Sequence, residues 1–411
     1  MERRIFNKLL AITGAVSCTQ AAAQTSNASP NDPASPTDPA VPQQRQDVTQ
    51  TSEPPSSHPV TVSDFIALAQ AKLPKSTFEY ITTGSEDQVT LQDNVAAFRR
   101  LRVLPPLCHG VETSDLSTTV LKQPISLPVL LAPVAALSMF HPQGTLAAAR
   151  AAETAETIFV PSTSAGNSVE EIRAATQGPL WFQLYVPQDR RIARRLVERA
   201  EQAGYQAIVV TVDLGERKDA DLRNNFQLPK EMLLKNLRDI GHTQLTDKMS
   251  YQDLITFNLQ AWSLSLSWEF FDWLRSVTKL PLIVKGVLSK KDALQAVELG
   301  LDGIIVSNHG GRRLDGVPAS IDVLPEIVDA VNGRTVILLD SGVRRGGDVL
   351  RAVALGADAV LIGRPYAWGL AADGQTGVKR VLDILRDELL NAMITTGCRN
   401  ISDIDRSLIV A

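Results

Sequence analysis

An alternation of short apolar runs with amphipathic segments, beginning at Leu127, constrains the fold of this chain more than any other feature. The apolar runs are nearly continuous, which is typical of parallel strands that are covered on both faces. The segments between them repeat with helical spacing. Such an alternation predicts a parallel sheet, because a crossover helix returns the chain to the starting end of the sheet. The predicted strands are Leu127–Ala135, Ile158–Thr163, Leu180–Val186, Ala207–Asp213, Pro281–Val287, Gly303–Gly310, Thr335–Gly342 and Ala359–Pro365.

The number of these units favours a closed barrel. Eight strand–helix units in about 250 residues suit a (β/α)8 barrel of the α/β class, here with an N-terminal helical extension. A doubly wound open sheet is the alternative, and it is weakened because no strand is followed by a G-x-G-x-x-G loop. The helices predicted between the strands include Val169–Thr176, Asp189–Ala203, Lys290–Leu299 and Gly347–Leu355.

One connection, residues 214–266 after the fourth strand, is unusually long and polar. A long excursion from the carboxyl end of a strand is typical of a lid or a binding loop, or is disordered. Its stretch Leu254–Leu266 carries Phe257, Trp262 and several leucines. That stretch is open to three interpretations, which are core packing, a lid, and a weak contact with a membrane surface.

The first 59 residues are not expected to belong to the fold. Residues 1–23 combine a basic start, a short apolar stretch and three consecutive alanines, as an export signal does. Arg3-Arg4 resembles a twin-arginine signal, which predicts a periplasmic protein. Lipid attachment at Cys18 and an amphipathic first helix are the alternatives. Residues 24–59 have almost no large apolar side chain and predict a disordered linker, so that the globular domain spans residues 60–411.

Charge and cysteine content exclude several classes of protein. The formal net charge is −4 and no basic stripe is present, which argues against binding to nucleic acid. Three scattered cysteines are too few for a disulfide framework or a zinc site. No segment after the signal has the roughly 18 consecutive apolar residues that a membrane span requires.

Polar residues collect at the carboxyl ends of the predicted strands, where a barrel binds its ligands. A rim that gathers lysine, histidine, aspartate, glutamine, tyrosine and arginine on one face indicates an active site. Glycine-rich loops with arginines follow the seventh and eighth strands, and such loops suit a phosphate group. The rim residues include Pro133, Val134, Ala135, Ser162, Gln183, Tyr185, Thr211, Asp213, Lys285, Ser307, His309, Asp340, Gly342, Gly363 and Arg364.

Several rim segments resemble, in the same order along the chain, the motifs of one family of flavoenzymes. The segments are WFQLYV, TVD, LPLIVKGV, SNHGGR, LDSGVRRG and IGRP. The family is that of the FMN-dependent L-2-hydroxy-acid oxidases and dehydrogenases, which include glycolate oxidase, lactate oxidase and flavocytochrome b2. The resemblance runs from about Ser63 to Ile409. It implies an FMN-binding TIM barrel that forms a homotetramer. It also implies that the protein oxidises an L-2-hydroxy acid and passes the electrons to oxygen or another acceptor.

The resemblance also implies roles for individual residues. His309 resembles the base, and Asp213 resembles the carboxylate that orients it and stabilises its imidazolium form. Tyr185 resembles the residue beside the substrate hydroxyl, and Tyr80 and Arg312 resemble substrate-binding residues, with Arg312 on the carboxylate. The FMN contacts implied in this way are Pro133, Val134, Ala135, Ser162, Gln183, Thr211, Lys285, Ser307, Asp340, Gly342, Arg344, Gly363 and Arg364.

The chain departs from the family pattern where a second carboxylate-binding arginine is expected, in the loop after the fourth strand. Arg217 and Lys218 are the candidates for that role. Ala135 weakly favours an oxidase over a dehydrogenase, and Arg313 receives no role. Other FMN-barrel chemistry and an exported flavin-binding or sensing protein with weakened catalysis are the alternative functions. The substrate side chain and the electron acceptor stay open at this point.

Overall fold

The computed structural model describes residues 58–214 and 226–410. Three helices, α1 (Asp64–Lys72), α2 (Lys75–Thr82) and α3 (Val89–Arg100), precede the barrel. They confirm the predicted N-terminal helical extension. The first turn of α3 is capped from far along the chain, because the Asp315 carboxylate accepts hydrogen bonds from the backbone N–H groups of Val89 (3.1 Å) and Thr90 (2.8 Å). This cap ties the extension to a loop at the rim of the barrel.

Short strands flank this extension before the barrel begins. Strand β1 pairs antiparallel with the last strand of the chain, and the hairpin β2–β3 packs Val120 and Ile125 against the apolar interior of the barrel. The bounds are β1 Arg102–Val103, β2 Thr118–Val120 and β3 Gln123–Ile125.

A parallel sheet of seven strands forms most of the barrel wall, in the spatial order β4-β10-β9-β8-β7-β6-β5. Neighbouring strands are parallel throughout, as the strand–helix alternation predicts. The strands are β4 Val129–Leu131, β5 Trp181–Leu184, β6 Ala207–Thr211, β7 Leu282–Val287, β8 Gly303–Val306, β9 Val336–Leu339 and β10 Ala359–Ile362.

The predicted second strand closes this sheet into a ring. Phe159 forms parallel bridges to Leu131 on one side and to Leu180 on the other, and Ser162 bridges Gln183. The segment therefore contributes isolated bridges in place of a continuous ladder, which corrects the predicted strand Ile158–Thr163. The (β/α)8 barrel itself is confirmed.

Most of the predicted strands are longer than the observed ones at their carboxyl ends, whereas β7 ends at Val287 as predicted. Strand β8 ends at Val306, whereas the prediction extended it to Gly310. The chain leaves extended geometry there, because His309, Gly310 and Gly311 all have positive φ (58°, 68° and 68°). The residues that leave the ladder are those that form the rim.

Two apolar layers explain why the barrel strands are apolar at nearly every position. Val209, Ile283 and Ile305 belong to the cluster inside the barrel. Their chain neighbours, such as Ile208 and Leu282, belong to the cluster between the barrel and its helices. Successive side chains of a strand point to opposite faces, so both faces must be apolar when both are covered.

The remaining helices surround the barrel. The last one is interrupted at Asp373 and Gly374, where the backbone is not helical. They are α4 Gly144–Thr154, α5 Val169–Ala174, α6 Arg190–Gln202, α7 Lys230–Asp239, α8 Tyr251–Ala261, α9 Glu269–Val277, α10 Lys290–Glu298, α11 Ser320–Val331, α12 Gly346–Ala354 and α13 Arg364–Thr396, with β11 Ile409–Val410 at the end.

The long connection after the predicted fourth strand, which is β6 of the structure, contains α7 and α8. Leu254 of α8 is fully buried, and Trp262 at its end bridges Pro187 after β5. Leu254 and Trp262 therefore pack on the rim of the barrel, which favours the first of the three interpretations for these residues, whereas Leu264 is exposed. None of the helices within residues 58–214 and 226–410 is long and apolar enough to cross a membrane.

Candidate active site

A cavity of about 480 Å³ opens at the carboxyl ends of the strands. This size is typical of a site for a cofactor or a small ligand. Gln183, Thr211 and Ser307 lie buried next to the lining, and Asp213 is half-buried there. Arg217 and Lys218 lie outside the described residues. The predicted residues that line the cavity are Tyr80, Pro133, Val134, Ala135, Ser162, Tyr185, Lys285, His309, Arg312, Asp340, Gly342, Arg344, Gly363 and Arg364.

His309 forms the polar centre of one side of the cavity. Its Nδ1 lies 3.0 Å from the Asp213 carboxylate, and its Nε2 lies 3.4 Å from the Tyr185 hydroxyl. Since an ionised carboxylate only accepts hydrogen bonds, Nδ1 carries the proton and Nε2 is the basic atom. The left-handed backbone of His309 and the bond from its N–H to the Ser307 hydroxyl (3.1 Å) fix this orientation.

Burial, more than the neighbouring charges, keeps the His309 ring neutral at ordinary pH. Burial, followed by the positive charge of Arg313, lowers the pKa of His309 to about 4, although Asp213 acts in the opposite direction. Burial alone would raise the pKa of Asp213, but His309, Lys285 and Arg313 together lower it. The pair therefore consists of a neutral imidazole and a carboxylate anion, which is the form that can accept a proton.

Gly286 allows Asp213 to reach this position. A Cβ atom at Gly286 would lie 2.7 Å from the Asp213 Cβ and 2.8 Å from its Cγ. The glycine also has a φ of 115°, at a point where the register between β7 and β8 shifts. Residues other than glycine rarely adopt such a backbone conformation. The sequence analysis did not single out Gly286, although it directly follows Lys285 in the motif LPLIVKGV.

Lys285 and Asp340 form a buried ion pair on the other side of the cavity. Lys285 Nζ lies 2.8 Å from Asp340 Oδ2 and donates a hydrogen bond of 2.8 Å to the Ser307 hydroxyl. Burial alone would lower the pKa of Lys285, but Asp340 and Asp213 raise it. The ammonium group of Lys285 therefore stays charged beside the cavity. A positive charge at this position can stabilise negative charge that develops on a ligand in the cavity.

Unsatisfied polar atoms at the base of the barrel rim agree with the predicted FMN ring contacts. Gln183 Oε1 accepts bonds from the Ser162 hydroxyl (2.9 Å) and the Thr163 N–H (3.2 Å), which identifies Nε2 as its outward donor. Gln183 Nε2 and Thr211 Oγ1 are buried and have no partner among the described residues. Buried polar groups normally have partners, and the carbonyl and ring nitrogen atoms of an isoalloxazine ring would supply them.

Two arginines after β9 and β10 agree with the predicted phosphate contacts. Burial lowers the pKa of Arg344 to about 10. Burial, then the charges of Arg312 and Arg344, lower the pKa of Arg364 well below its ordinary value. Clustered cations of this kind are stabilised by a bound anion, and the phosphate of FMN has the required charge. The two arginines, Lys285 and the unsatisfied amide therefore fit FMN.

Arg312 and Tyr80 join the rim to the N-terminal extension. Arg312 Nη1 donates a 2.6 Å hydrogen bond to the Tyr80 carbonyl, and its guanidinium lies 4.8 Å from the centre of the Tyr80 ring. The Tyr80 ring also stacks on Phe226, with 4.3 Å between ring centres. The predicted substrate-binding pair is thus brought together at the cavity.

Other residues that support the site were missed by the sequence analysis. Ser341, with a φ of 78°, accepts a bond from the Gly310 N–H (2.9 Å) and donates one to Asp340 (2.7 Å). Asn308 exchanges two side-chain hydrogen bonds with Asn94 of α3 (2.9 and 2.7 Å). Both residues lie inside quoted motifs, but their partners are distant in sequence, so spacing alone gave no signal.

Comparisons with known proteins agree with this geometry. Residues 69–411 match the profile of the family described as FMN-dependent dehydrogenase. The chain is 46% identical over 357 residues to 2-hydroxyacid oxidase 1 of Mus musculus, which covers 85% of this chain and 96% of that protein. It is 44% identical over 360 residues to L-lactate oxidase of Nostoc sp., which covers 86% and 98%. The solved structure of mandelate oxidase superposes with a TM-score of 0.77 at 38% identity, covering 86% of this chain and 98% of that one.

Proposed function

Since the chain belongs to the FMN-dependent dehydrogenase family, we propose that it oxidises an L-2-hydroxy acid to the 2-oxo acid with His309 as the base. The observation that carries this proposal is the Asp213–His309 pair, whose basic Nε2 lies beside Tyr185 at the cavity. Arginine side chains on the loop that carries His309 supply positive charge for the carboxylate of the substrate.

Each residue of the pair and its neighbours then has a defined task. Arginine binds the carboxylate of the substrate. The hydroxyl group of the substrate forms hydrogen bonds with Tyr185 and His309. Nε2 of His309 takes one proton, and Asp213 stabilises the imidazolium that results. The oxidation releases two electrons and two protons, and FMN, when bound, would supply the acceptor for the two electrons and for the second proton. Ser162, Gln183, Thr211 and Lys285 would hold its ring, and Arg344 and Arg364 its phosphate.

A direct test of the reaction uses the flavin colour. The purified protein should be yellow and should bleach without oxygen when an L-2-hydroxy acid is added, whereas the D-enantiomer should leave the spectrum unchanged. Bleaching requires both bound flavin and electron transfer from the substrate. A yellow protein that keeps its colour with glycolate, L-lactate, L-2-hydroxyisocaproate and (S)-mandelate would contradict the proposed reaction.

Oxygen is the electron acceptor that we propose for the second half of the reaction. Ala135 lines the cavity beside Pro133 and Val134, and several relatives of this chain are named oxidases. In air, each 2-oxo acid should be accompanied by one hydrogen peroxide. Turnover that needs a dye acceptor and yields no peroxide would assign the chain to the dehydrogenases.

The cavity favours a substrate with an apolar side chain. Beyond His309 the wall of the cavity is formed by residues of the long connection after β6. Ser164 has a small side chain, which leaves room for the side chain of the substrate. Burial of each methylene group contributes about 0.8 kcal/mol, so kcat/KM should rise about fourfold per added methylene from glycolate upward. A clear preference for glycolate would contradict this proposal. The apolar wall comprises Leu228, Leu233, Leu237, Ile240, Trp262 and Leu264.

Export to the periplasm is proposed from the first residues alone. Replacing Arg3-Arg4 with Lys-Lys should retain the folded flavoprotein in the cytoplasm, because the twin-arginine route depends on this pair. Fractionation of cells that express the full chain measures the outcome, and unchanged export would exclude this signal. The homotetramer implied by the resemblance stays a prediction that light scattering on the purified protein would check.

A further inference from the structure

One face of α7 forms part of the wall of the cavity. Leu233, Leu237 and Ile240, which directly follows the helix, all line the cavity. Positions separated by three, four and seven residues share one side of a helix. Asn236 lies on the same side, three residues after Leu233, and it also lines the cavity. An amide thus interrupts a helix face that is otherwise apolar.

The side chain of Asn236 is buried without a hydrogen-bond partner. The residue is only 9% exposed, and its amide forms no hydrogen bond with any residue in the described parts of the chain. Buried polar groups normally have partners, and burial without one costs free energy. Leucine has nearly the same size and would continue the apolar face without that cost. A ligand group that contacts the amide in the cavity explains why an asparagine fits this position.

A second amide lines the cavity from α8. The Nε1 atom of Trp262 donates a 3.3 Å hydrogen bond to Asn258 Oδ1. Because Oδ1 is the acceptor in this bond, Nδ2 of Asn258 remains as a donor toward the cavity. The amide of Asn236 can both donate and accept. The two helices therefore present hydrogen-bonding groups that are neutral.

Aromatic contacts connect this part of the wall to the reacting atoms. The Tyr185 hydroxyl lies 3.4 Å from His309 Nε2, and the rings of Tyr185 and Trp262 meet edge to face with 6.0 Å between their centres. Trp262 is in turn bonded to Asn258. A substrate side chain that extends from His309 along these two rings therefore meets apolar surface first and an amide further out.

The charged groups of the cavity come from other elements. Lys285 and Asp340 follow barrel strands, whereas the described residues that α7 and α8 contribute to the lining carry no charge. A charged group at the far end of a substrate would lose hydration there without an opposite charge on these helices, which is costly. A neutral hydroxyl or amide group would instead form hydrogen bonds with the two asparagines.

We propose that Asn236, together with Asn258, selects a 2-hydroxy acid whose apolar side chain ends in a neutral hydrogen-bonding group, such as a terminal hydroxyl group. The inference rests on the proposed function and refines it, because the stem of the side chain stays apolar while its end is polar. Asn236 determines specificity and takes no part in the transfer of the proton to His309. A terminal hydroxyl group both donates and accepts, so it can pair with either amide.

The test compares two L-2-hydroxy acids that differ only at the far end, 2,6-dihydroxyhexanoate and 2-hydroxyheptanoate. The first has a hydroxyl group where the second has a methyl group. In a wholly apolar pocket the first acid would be the poorer substrate, because its hydroxyl group would be unpaired. In the FMN-loaded wild type we expect it to have at least the same kcat/KM. In Asn236→Leu the ratio of the two kcat/KM values should fall about 5- to 100-fold.

Two further variants separate recognition from folding. Asn236→Gln keeps an amide and should retain part of the wild-type ratio. Asn391→Leu makes the same substitution at an exposed position of α13 and should leave the ratio unchanged. A general defect in folding or in FMN binding lowers kcat/KM for both acids alike, so the ratio reports only the recognition of the terminal group.

A binding measurement gives a readout that does not depend on turnover. The acids 6-hydroxyhexanoate and heptanoate differ at the far end in the same way, but they carry no 2-hydroxyl group to oxidise. Their Kd values follow from the change that they cause in the flavin spectrum of the FMN-loaded protein. The ratio of these Kd values should shift in Asn236→Leu in favour of heptanoate, by a factor similar to that found for kcat/KM.

The outcomes separate this proposal from the proposed function. If the wild type and Asn236→Leu oxidise hydroxy acids with the same ratio, the role of Asn236 is overturned and the reaction stands. If the wild type oxidises no hydroxy acid but its Kd ratio depends on Asn236, the proposed function is contradicted and the polar end of the ligand is supported. If neither turnover nor a Kd ratio that depends on Asn236 is found, both are overturned.

Discussion

The two sides of the cavity differ in how the chain holds their charged groups. On the cofactor side, Lys285 and Asp340 belong to the ends of two barrel strands, and their side chains are only 4% and 9% exposed. On the substrate side, His309 and Asp213 lie on loops and are 17% and 14% exposed. The barrel itself fixes the first pair, whereas the second pair depends on loops that pack against other segments.

The loop that carries His309 shows this dependence most clearly. Asp315 at its end caps α3, and Asn308 near its start pairs with Asn94 of the same helix. Gly311 approaches Leu91 so closely that a Cβ atom would lie 2.6 Å from its backbone nitrogen. The N-terminal extension therefore supports the loop that carries His309. It also contacts the cofactor side, because Arg364 donates hydrogen bonds to the carbonyls of Ile81 (2.9 Å) and Thr83 (2.9 Å).

Removal of the buried lysine should have the largest effect on the cofactor side. Lys285→Met leaves the Asp340 carboxylate buried without its partner. Loss of one partner from a buried pair lowers the free energy of unfolding by about 3–5 kcal/mol. Urea denaturation measures this change, and the variant should also retain less FMN. Lys290→Met, which removes the exposed pair with Glu326, is the control and should cost less than about 1 kcal/mol. Equal losses in the two variants would show that burial of the pair is unimportant.

Removal of the base should leave the cofactor side intact. His309→Gln takes away Nε2 but places no new charge next to Lys285. We expect kcat to fall about 10²- to 10⁴-fold with unchanged FMN content, because general base catalysis contributes a factor of this size. Stopped-flow reduction of the flavin measures the step directly. Retained turnover would remove His309 as the base, and loss of FMN would show that the two sides are not separable.

A methyl group at the contact between the two sides tests how closely they are packed. Gly286→Ala places a Cβ atom against Asp213 and should displace it from His309, so that kcat falls at least about tenfold. Gly333→Ala is a matched control, since Gly333 also has positive φ (71°) but nothing lies within 4 Å of the added carbon. Both variants carry backbone strain of about 1–2 kcal/mol. Only a fall in kcat that is specific to Gly286→Ala supports the positioning role, and equal kcat values would refute it.

The pH dependence of stability gives the smallest expected effect. The pKa of His309 is about 4 in the folded protein and near 6.5 in an unfolded chain. The unfolded chain binds more protons between these values, so stability that is present above about pH 6.5 declines as the pH falls toward 4. Between pH 7 and pH 5 we expect a loss of about 1–2 kcal/mol that His309→Gln does not show. Parallel urea curves for the two proteins at both pH values provide the measurement, and identical pH slopes would contradict the lowered pKa.

The sequence predicted the barrel because its evidence is local. Apolar runs at each strand and amphipathic runs between them identify the elements, and their order implies a parallel ring. The same local pattern placed Lys285, Asp340 and His309 at strand ends, which share one face in any such barrel. The motifs then identified the chemistry, and the family comparison confirmed it.

Contacts between distant segments were decided only by the tertiary structure. The register of β7 against the end of β6 brings Gly286 against Asp213, and neither residue type nor spacing predicts that approach. The consecutive residues Arg312 and Arg313 look equivalent in sequence, yet one reaches Tyr80 and the other reaches Tyr185 and His309. Periodicity fixes which face of an element is buried, whereas the partner of each rim side chain depends on how loops from separate strands fold over one another.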